Sequence, residues 1–381
     1  MLASLAALTS SAVARPHLVF ELETGRVISA EDAFHPWHPA SLTKMMTAYT
    51  VLDMMRAGEV GPDTNVMMTW WASQQSPSKM GFRPGTLVPL RDALAMIAVK
   101  SANDVSQAIA ESLTDRRPED FYARMNAHAR RLGMAATNFV NPHGLHDPQQ
   151  ITSARDMGLL VQALARDFPD WMWLWRTPGI RVEPATGVPA RTYRSFNALL
   201  ERFPGADGMK TGYVCASGWN FAGSATRDGR TIVAVVLGRN TATDRVIDAA
   251  KLIEAAFDAG PAPADRPTVA TMRSVKGVPQ MPPDLRPKVC DVRPRSKVQP
   301  PQYLPAGVQG PPGPPREWLA PKPALVSTVA VRTAGRIDPA RRLTEVFDTV
   351  PVPAPRPADP PLDGLELVPS PYPTVPAQRP G

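Results

Sequence analysis

Cysteine is nearly missing from this chain: Cys215 and Cys290 are the only two in 381 residues. They fall in regions of different composition, so no disulfide framework is expected. No segment is long and apolar enough to span a bilayer, which takes about 20 residues. The chain also lacks a block of consecutive Lys and Arg. Its net charge of +7 is spread out, which argues against a nucleic-acid partner but leaves contact with an acidic polymer or membrane surface open. Histidine is scarce as well. His143 and His146 lie in a Pro/Gly turn and no His follows them, so no zinc site and no metal is expected. No His stands near Cys215 in sequence, which leaves that thiol without a base.

Hydrophobic residues make up 43% of the chain and charged residues 20%, ample for one large core. Of the 44 prolines, 29 fall in residues 261–381, which divides the chain into a folded body and a Pro-rich, mostly disordered tail. Within that tail a short strand at Leu325–Val331 and a helical piece near Arg341–Val346 are expected. Residues 1–14, with Leu2, Leu5 and Leu8 before Ala12-Val13-Ala14, have the form of a secretory signal remnant, although the usual positive start is missing. Residues 15–260 are then the folded body of an exported protein.

The run Ser41-Leu42-Thr43-Lys44-Met45-Met46 opens a helix to about Arg56 that is apolar nearly all round, as a core helix is. Ser41 and Lys44 sit three apart on its first turn and so share one face. A lysine desolvated there loses charge readily, and a serine beside such an amine is an activated nucleophile. Taken alone, the pair is equally an N-cap and an exposed lysine. The chain carries a second copy, Ser76-Pro77-Ser78-Lys79, in a polar segment that reads as a surface turn.

Further on, helices are expected over Leu90–Val99 and Asp104–Leu113, with Ser101 and Asn103 in the break between them. Alone, Ser101 also reads as a simple cap of the second helix, the weaker of its two readings, and Ser195-Phe196-Asn197 repeats the triplet. A helix over Glu119–Leu132 follows, and another opens at Ser153, three residues before Asp156 in capping-box spacing. Trp171, Trp173 and Trp175 alternate as in a strand. Near the end of the body, Ala206–Tyr213 precedes two apolar runs joined at Asp228-Gly229, a hairpin signal. Gly212 allows close backbone approach, while Lys210 and Thr211 offer a charge and a hydroxyl to a carboxylate. A hairpin over His17–Leu22 and Arg26–Ser29 and a helix over Ala242–Ala259 complete the body.

Ser41-x-x-Lys44, Ser101-x-Asn103 and Lys210-Thr211-Gly212 in that order resemble the trio of β-lactamases and penicillin-binding proteins. Residues 15–260 are similar to the serine D-alanyl-D-alanine carboxypeptidases, the low-molecular-mass penicillin-binding proteins. The resemblance implies an α/β (α+β) fold of β-lactamase/DD-peptidase type: an antiparallel sheet of about five strands, flanking helices and a helical subdomain. It implies that Ser41 attacks the bond between two terminal D-alanines of a peptidoglycan stem peptide, that Lys44 takes its proton, and that Ser101 relays a proton to the leaving amine. Asn103 then holds Lys44 and the peptide, Lys210, Thr211 and Gly212 bind the terminal residue and its carboxylate, and Arg245 assists. The N–H groups of Ser41 and Tyr213 form the oxyanion hole. β-Lactams act as covalent inhibitors, and no cofactor is implied. Relatives frequently carry a second β-rich domain and a carboxy-terminal amphipathic membrane anchor, whereas residues 261–381 here are Pro-rich and show no clear membrane anchor. The chain departs from its relatives at Phe196, where a polar or basic residue is common. A DD-endopeptidase uses the same residues. A β-lactamase needs a glutamate-held water, for which no Glu-Leu-Asn sequence is present.

Overall fold

The computed structural model describes residues 15–185, 187–274, 276–291, 319–320, 322–323 and 327–337. The signal-like stretch 1–14 and the helical piece expected at 341–346 lie outside these described residues. In chain order the elements are β1 (His17–Glu21), β2 (Val27–Glu31), α1 (Thr43–Arg56), β3 (Asn65–Met67), α2 (Trp70–Ser73), β4 (Leu87–Pro89), α3 (Leu90–Val99), α4 (Asn103–Ser112), α5 (Pro118–Arg131) and α6 (Ala154–Asp167). They continue with α7 (Trp173–Arg176), β5 (Gly179–Val182), β6 (Arg191–Arg194), β7 (Ala206–Val214), β8 (Gly218–Arg227), β9 (Arg230–Arg239), α8 (Ala242–Asp258), α9 (Arg286–Val289) and β10 (Val329–Val331).

Five antiparallel strands in the order β2-β1-β9-β8-β7 make the main sheet. Both ends of the body contribute to it. Successive side chains on a strand point to opposite faces, and both faces here are covered. Val19, Ile232, Ala234 and Val236 pack with Val246, Ala249 and Ile253 of α8. Leu18, Phe20, Val233 and Val235 join the larger core that holds α1, α3, α4 and α6. Apolar burial on both faces explains why β9 reads as an unbroken Thr231–Leu237 run. The strand β7 is an edge, so one side of its backbone faces the cleft between sheet and helices.

Two expectations need correcting. The tryptophans 171, 173 and 175 form no strand: Pro169–Trp171 is a 3-10 turn and Trp173–Arg176 a helical turn. Only Trp175 of the three is buried. Cys215 and Cys290 are joined by a disulfide across 75 residues. The chain after α8 runs back along the body, with Val27 and Val269 pairing to Pro267 and Gly25. It then reaches the β7–β8 turn, where the N–H of Leu285 donates to the Ala216 carbonyl at 3.0 Å. That return path brings two remote cysteines together. Of the Pro-rich region, Val329–Val331 forms a strand parallel to β5, and Gly335 and Ile337 bond to Leu87 and Gly85. Among the described residues no helix is long and apolar enough to cross a membrane.

Candidate active site

Ser41 stands in a 3-10 turn, Ala40–Leu42, that runs directly into α1. Its neighbour Ala40 has φ +48°, and Ser101 has φ +58°. Left-handed backbone at non-glycine residues costs about 1–3 kcal/mol each and concentrates at functional sites. From Thr43 to Leu52 every residue of α1 is buried. Lys44 is therefore fully enclosed, and desolvation holds its pKa well below the usual lysine value, with the Lys210 charge acting in the same direction.

The Lys44 amine touches three oxygens: Ser41 Oγ at 3.0 Å, Asn103 Oδ1 at 2.7 Å and the His143 carbonyl at 2.6 Å. A neutral amine has two N–H bonds and one lone pair. Asn103 Oδ1 and the His143 carbonyl carry no hydrogen and can only accept. With both N–H bonds given to them, the lone pair is left facing the Ser41 hydroxyl. That is the arrangement of a general base. The Asn103 amide is fixed in this sense because its Nδ2 donates to the Ser76 carbonyl at 2.8 Å.

The second half of the site comes from β7. Lys210 is buried and its Nζ donates to Ser101 Oγ and to the Thr211 carbonyl, each at 3.0 Å. Burial, and then the Arg245 charge, lower its pKa to about 7. Because Ser101 accepts from Lys210, its own O–H remains free to donate elsewhere. Gly212 is where the sheet edge meets the Ser41 turn. A Cβ there would lie 2.8 Å from the Pro39 carbonyl oxygen and 3.1 Å from the Ser41 nitrogen. Tyr213, the next residue, is partly exposed and stacks on Trp219 with ring centroids 4.1 Å apart.

Arg245 lies in the first turn of α8, 4% exposed, with its guanidinium 5.3 Å from the Trp219 ring centre. Burial lowers its pKa to about 10, so it stays cationic at neutral pH. Its Nε has no hydrogen-bond partner among the described residues, and its Nη2 donates only at long range, to the Phe196 carbonyl at 3.5 Å. Ser41, Ser101, Asn103, Thr211, Gly212 and Arg245 all line one cavity of about 630 Å³. A cationic, partly unpartnered wall beside a serine nucleophile fits an anionic ligand.

Every site residue expected from sequence is thus in or beside this cavity. Three contributors carried no readable mark. The His143 carbonyl is presented by the turn at Gly144, and the imidazole itself is buried, with its pKa lowered to about 3. Asp104 accepts from the N–H groups of Met80 and Gly81 at 3.0 and 2.8 Å. This draws the segment 76–81 over the α3–α4 connection. The Ser76-Pro77-Ser78-Lys79 copy is no second nucleophile pair, for Lys79 donates to the Ser73 carbonyl. Its backbone nevertheless builds the site, since the Ser76 and Ser78 carbonyls bond the side-chain and main-chain nitrogens of Asn103. In Ser195-Phe196-Asn197 the Ser195 and Asn197 side-chain oxygens accept from nearby N–H groups, the Ser195 N–H donates to the Pro178 carbonyl at 2.7 Å, and Phe196 lines the cavity.

Comparison with known proteins agrees with this geometry. DacA, a D-alanyl-D-alanine carboxypeptidase of Haemophilus influenzae, is 30% identical over 248 residues, covering 64% of this chain and 62% of its own. The chain thus spans about three fifths of the length of that relative. Among solved structures, the D-alanyl-D-alanine carboxypeptidase DacD from Francisella tularensis superposes with a TM-score of 0.61 at 27% identity, over 68% of this chain and 73% of that one. Penicillin-binding protein D2 from Listeria monocytogenes, in its ampicillin-bound form, gives 0.57 at 27% identity over 65% and 99%. The sequence pattern of one family matches residues 4–241, and the chain belongs to that family, the D-alanyl-D-alanine carboxypeptidases.

Proposed function

We propose that this protein is a serine DD-carboxypeptidase that removes the terminal D-alanine from peptidoglycan stem peptides and is inhibited covalently by β-lactams. The observation that carries the reading is the Lys44 amine, enclosed and held by two pure acceptors against Ser41 Oγ. In this mechanism Ser41 Oγ bonds to the carbonyl carbon of the penultimate D-alanine while its proton passes to Lys44. The N–H groups of Ser41 and Tyr213 take the negative charge that develops on the carbonyl oxygen, each worth roughly 3–4 kcal/mol of barrier. Ser101 gives its proton to the leaving nitrogen and takes one from Lys44 in its place, the C–N bond breaks, and D-alanine departs, leaving Lys44 neutral again. Lys210, Thr211 and Arg245 hold its carboxylate. Water then attacks the ester with Lys44 again as base, and Ser41 is regenerated. The substrate peptide lies along the free edge of β7 as an added strand.

Residues 15–260 form the catalytic unit in this reading, with 261–381 appended to it. Export to the periplasm or cell envelope is supported by the disulfide, since such bonds persist in oxidising compartments. Among the described residues no Asp or Glu lines the cavity, so none of them offers a carboxylate to activate water against a penicilloyl ester. This favours a peptidase over a β-lactamase. The test is release of D-alanine from a peptide ending in D-Ala-D-Ala, measured on the wild type and on Ser41→Ala. Release by the wild type alone is expected; no release by a folded wild type would refute the proposal.

A further inference from the structure

The same cavity that holds Arg245 is also lined by Phe196, Ala198, Arg202, Val246 and Leu319, and Leu319 shares a hydrophobic cluster with Val246, the residue next to Arg245. Leu319 comes from the Pro-rich region, far along the chain from every other lining residue. It is only 7% exposed and packs in the cluster formed by Leu199, Phe203 and Val246. The following residue is tied down by a reciprocal pair of bonds: the Ala320 N–H donates to the Arg202 carbonyl, and Arg202 Nε donates to the Ala320 carbonyl, both at 2.7 Å. A few residues later the Pro323 carbonyl accepts from Arg194 at 2.9 Å. Leu319 is therefore a fixed part of the cavity wall.

In the mechanism above, the leaving residue sits with its carboxylate at Lys210, Thr211 and Arg245. A leaving D-alanine ends there. A leaving residue with a long side chain, such as one bearing a cross-linked second peptide, must extend into the part of the cavity that Val246 and Leu319 line. We propose that Leu319 is the end wall of this leaving-group subsite and sets the largest leaving residue the enzyme accepts. The appended region thereby confines the enzyme to carboxypeptidase rather than endopeptidase work. This rests on the function proposed above.

The test uses the full chain and two substrates, an N-acyl-D-Ala-D-Ala peptide and the same peptide ending in D-Ala-D-Lys with its Nε acylated. The quantity read is the ratio of kcat/KM for the bulky substrate to that for the small one. This ratio is internal to each preparation, so partial unfolding drops out. One or more methylenes of a pocket wall are worth about tenfold or more in such discrimination. Leu319→Ala is expected to raise the ratio about tenfold. Ala320→Pro, which keeps Leu319 but removes the N–H that ties the segment to Arg202, should raise it in the same direction. Leu319→Trp should lower it. Ratios within about twofold of wild type in both Leu319→Ala and Ala320→Pro, well short of that discrimination, overturn the inference alone. A wild type that cleaves neither substrate overturns the proposed function and the inference with it.

Discussion

Two lysines buried in one groove are costly to the fold, and the cost is what makes them chemically useful. Lys44 must be neutral to take the Ser41 proton, and Lys210 must be charged to hold a carboxylate. Activity accordingly requires Lys44 deprotonated and Lys210 protonated. The kcat/KM profile should be bell-shaped, with an acid limb from Lys44 and an alkaline limb beginning near pH 7 from Lys210. A flat profile through pH 7–9 would contradict the assignment of Lys210. Replacing Lys44 with Met removes the base and should slow labelling by a fluorescent penicillin about 10²–10⁴-fold. For stability the sign is opposite. Lys210 has a pKa of about 7 in the folded state against 10.5 in the free side chain, so the unfolded chain binds more protons between those values. Its destabilising effect is full below pH 7 and fades as pH rises toward 10.5. Lys210→Met should therefore raise Tm most at pH 7 and below, and a thermal melt series across pH measures this directly.

The elements that position these groups were legible where a local rule decided them. Leu90–Val99 is a helix with the bounds its apolar run gives, Ser153 caps α6 by accepting from the Asp156 N–H, and Asp228-Gly229 turns β8 into β9. Alternating tryptophans misled because two short helical turns, not a strand, carry them, with Trp171 and Trp173 half-buried and Trp175 buried. Backbone carbonyls are the harder case. Nothing in the letters Pro142-His143-Gly144 says that the His143 oxygen holds a lysine 99 residues away. Gly144 does carry the constraint physically. It has φ +82°, and a Cβ on it would fall 1.8 Å from the Ala40 carbonyl oxygen. Gly144→Ala must push this loop off the Ser41 turn, so penicillin acylation should fall at least about tenfold, a cost in the 1–3 kcal/mol range of local strain. Acylation at the wild-type rate in a folded variant would show that the loop does not support Lys44.

Over the whole molecule, the sheet and its two cores were predictable because periodicity and turn chemistry agreed along residues 15–260. The route of the chain afterwards was not. Residues 261–291 have no strong period, so nothing in the sequence indicated that they return to the β7–β8 turn and bring Cys290 to Cys215. Closing a loop of that length stabilises by about 2–5 kcal/mol in the chain-entropy view. The Cys215→Ser/Cys290→Ser double variant should melt lower than the oxidised wild type by a corresponding amount, and the reduced wild type should melt with it. Equal melting of all three would mean that contacts such as Leu285 on Ala216 hold the segment unaided.

The claim on which the account turns is that Ser41, activated by Lys44, is the nucleophile. Intact-mass spectrometry after benzylpenicillin, followed by peptide mapping, tests it most directly. The prediction is one persistent penicilloyl adduct per chain, located on Ser41 and missing from Ser41→Ala. An adduct that survives Ser41→Ala would contradict it, whereas rapid loss of a Ser41 adduct with turnover of penicillin by the wild type would contradict the peptidase reading instead.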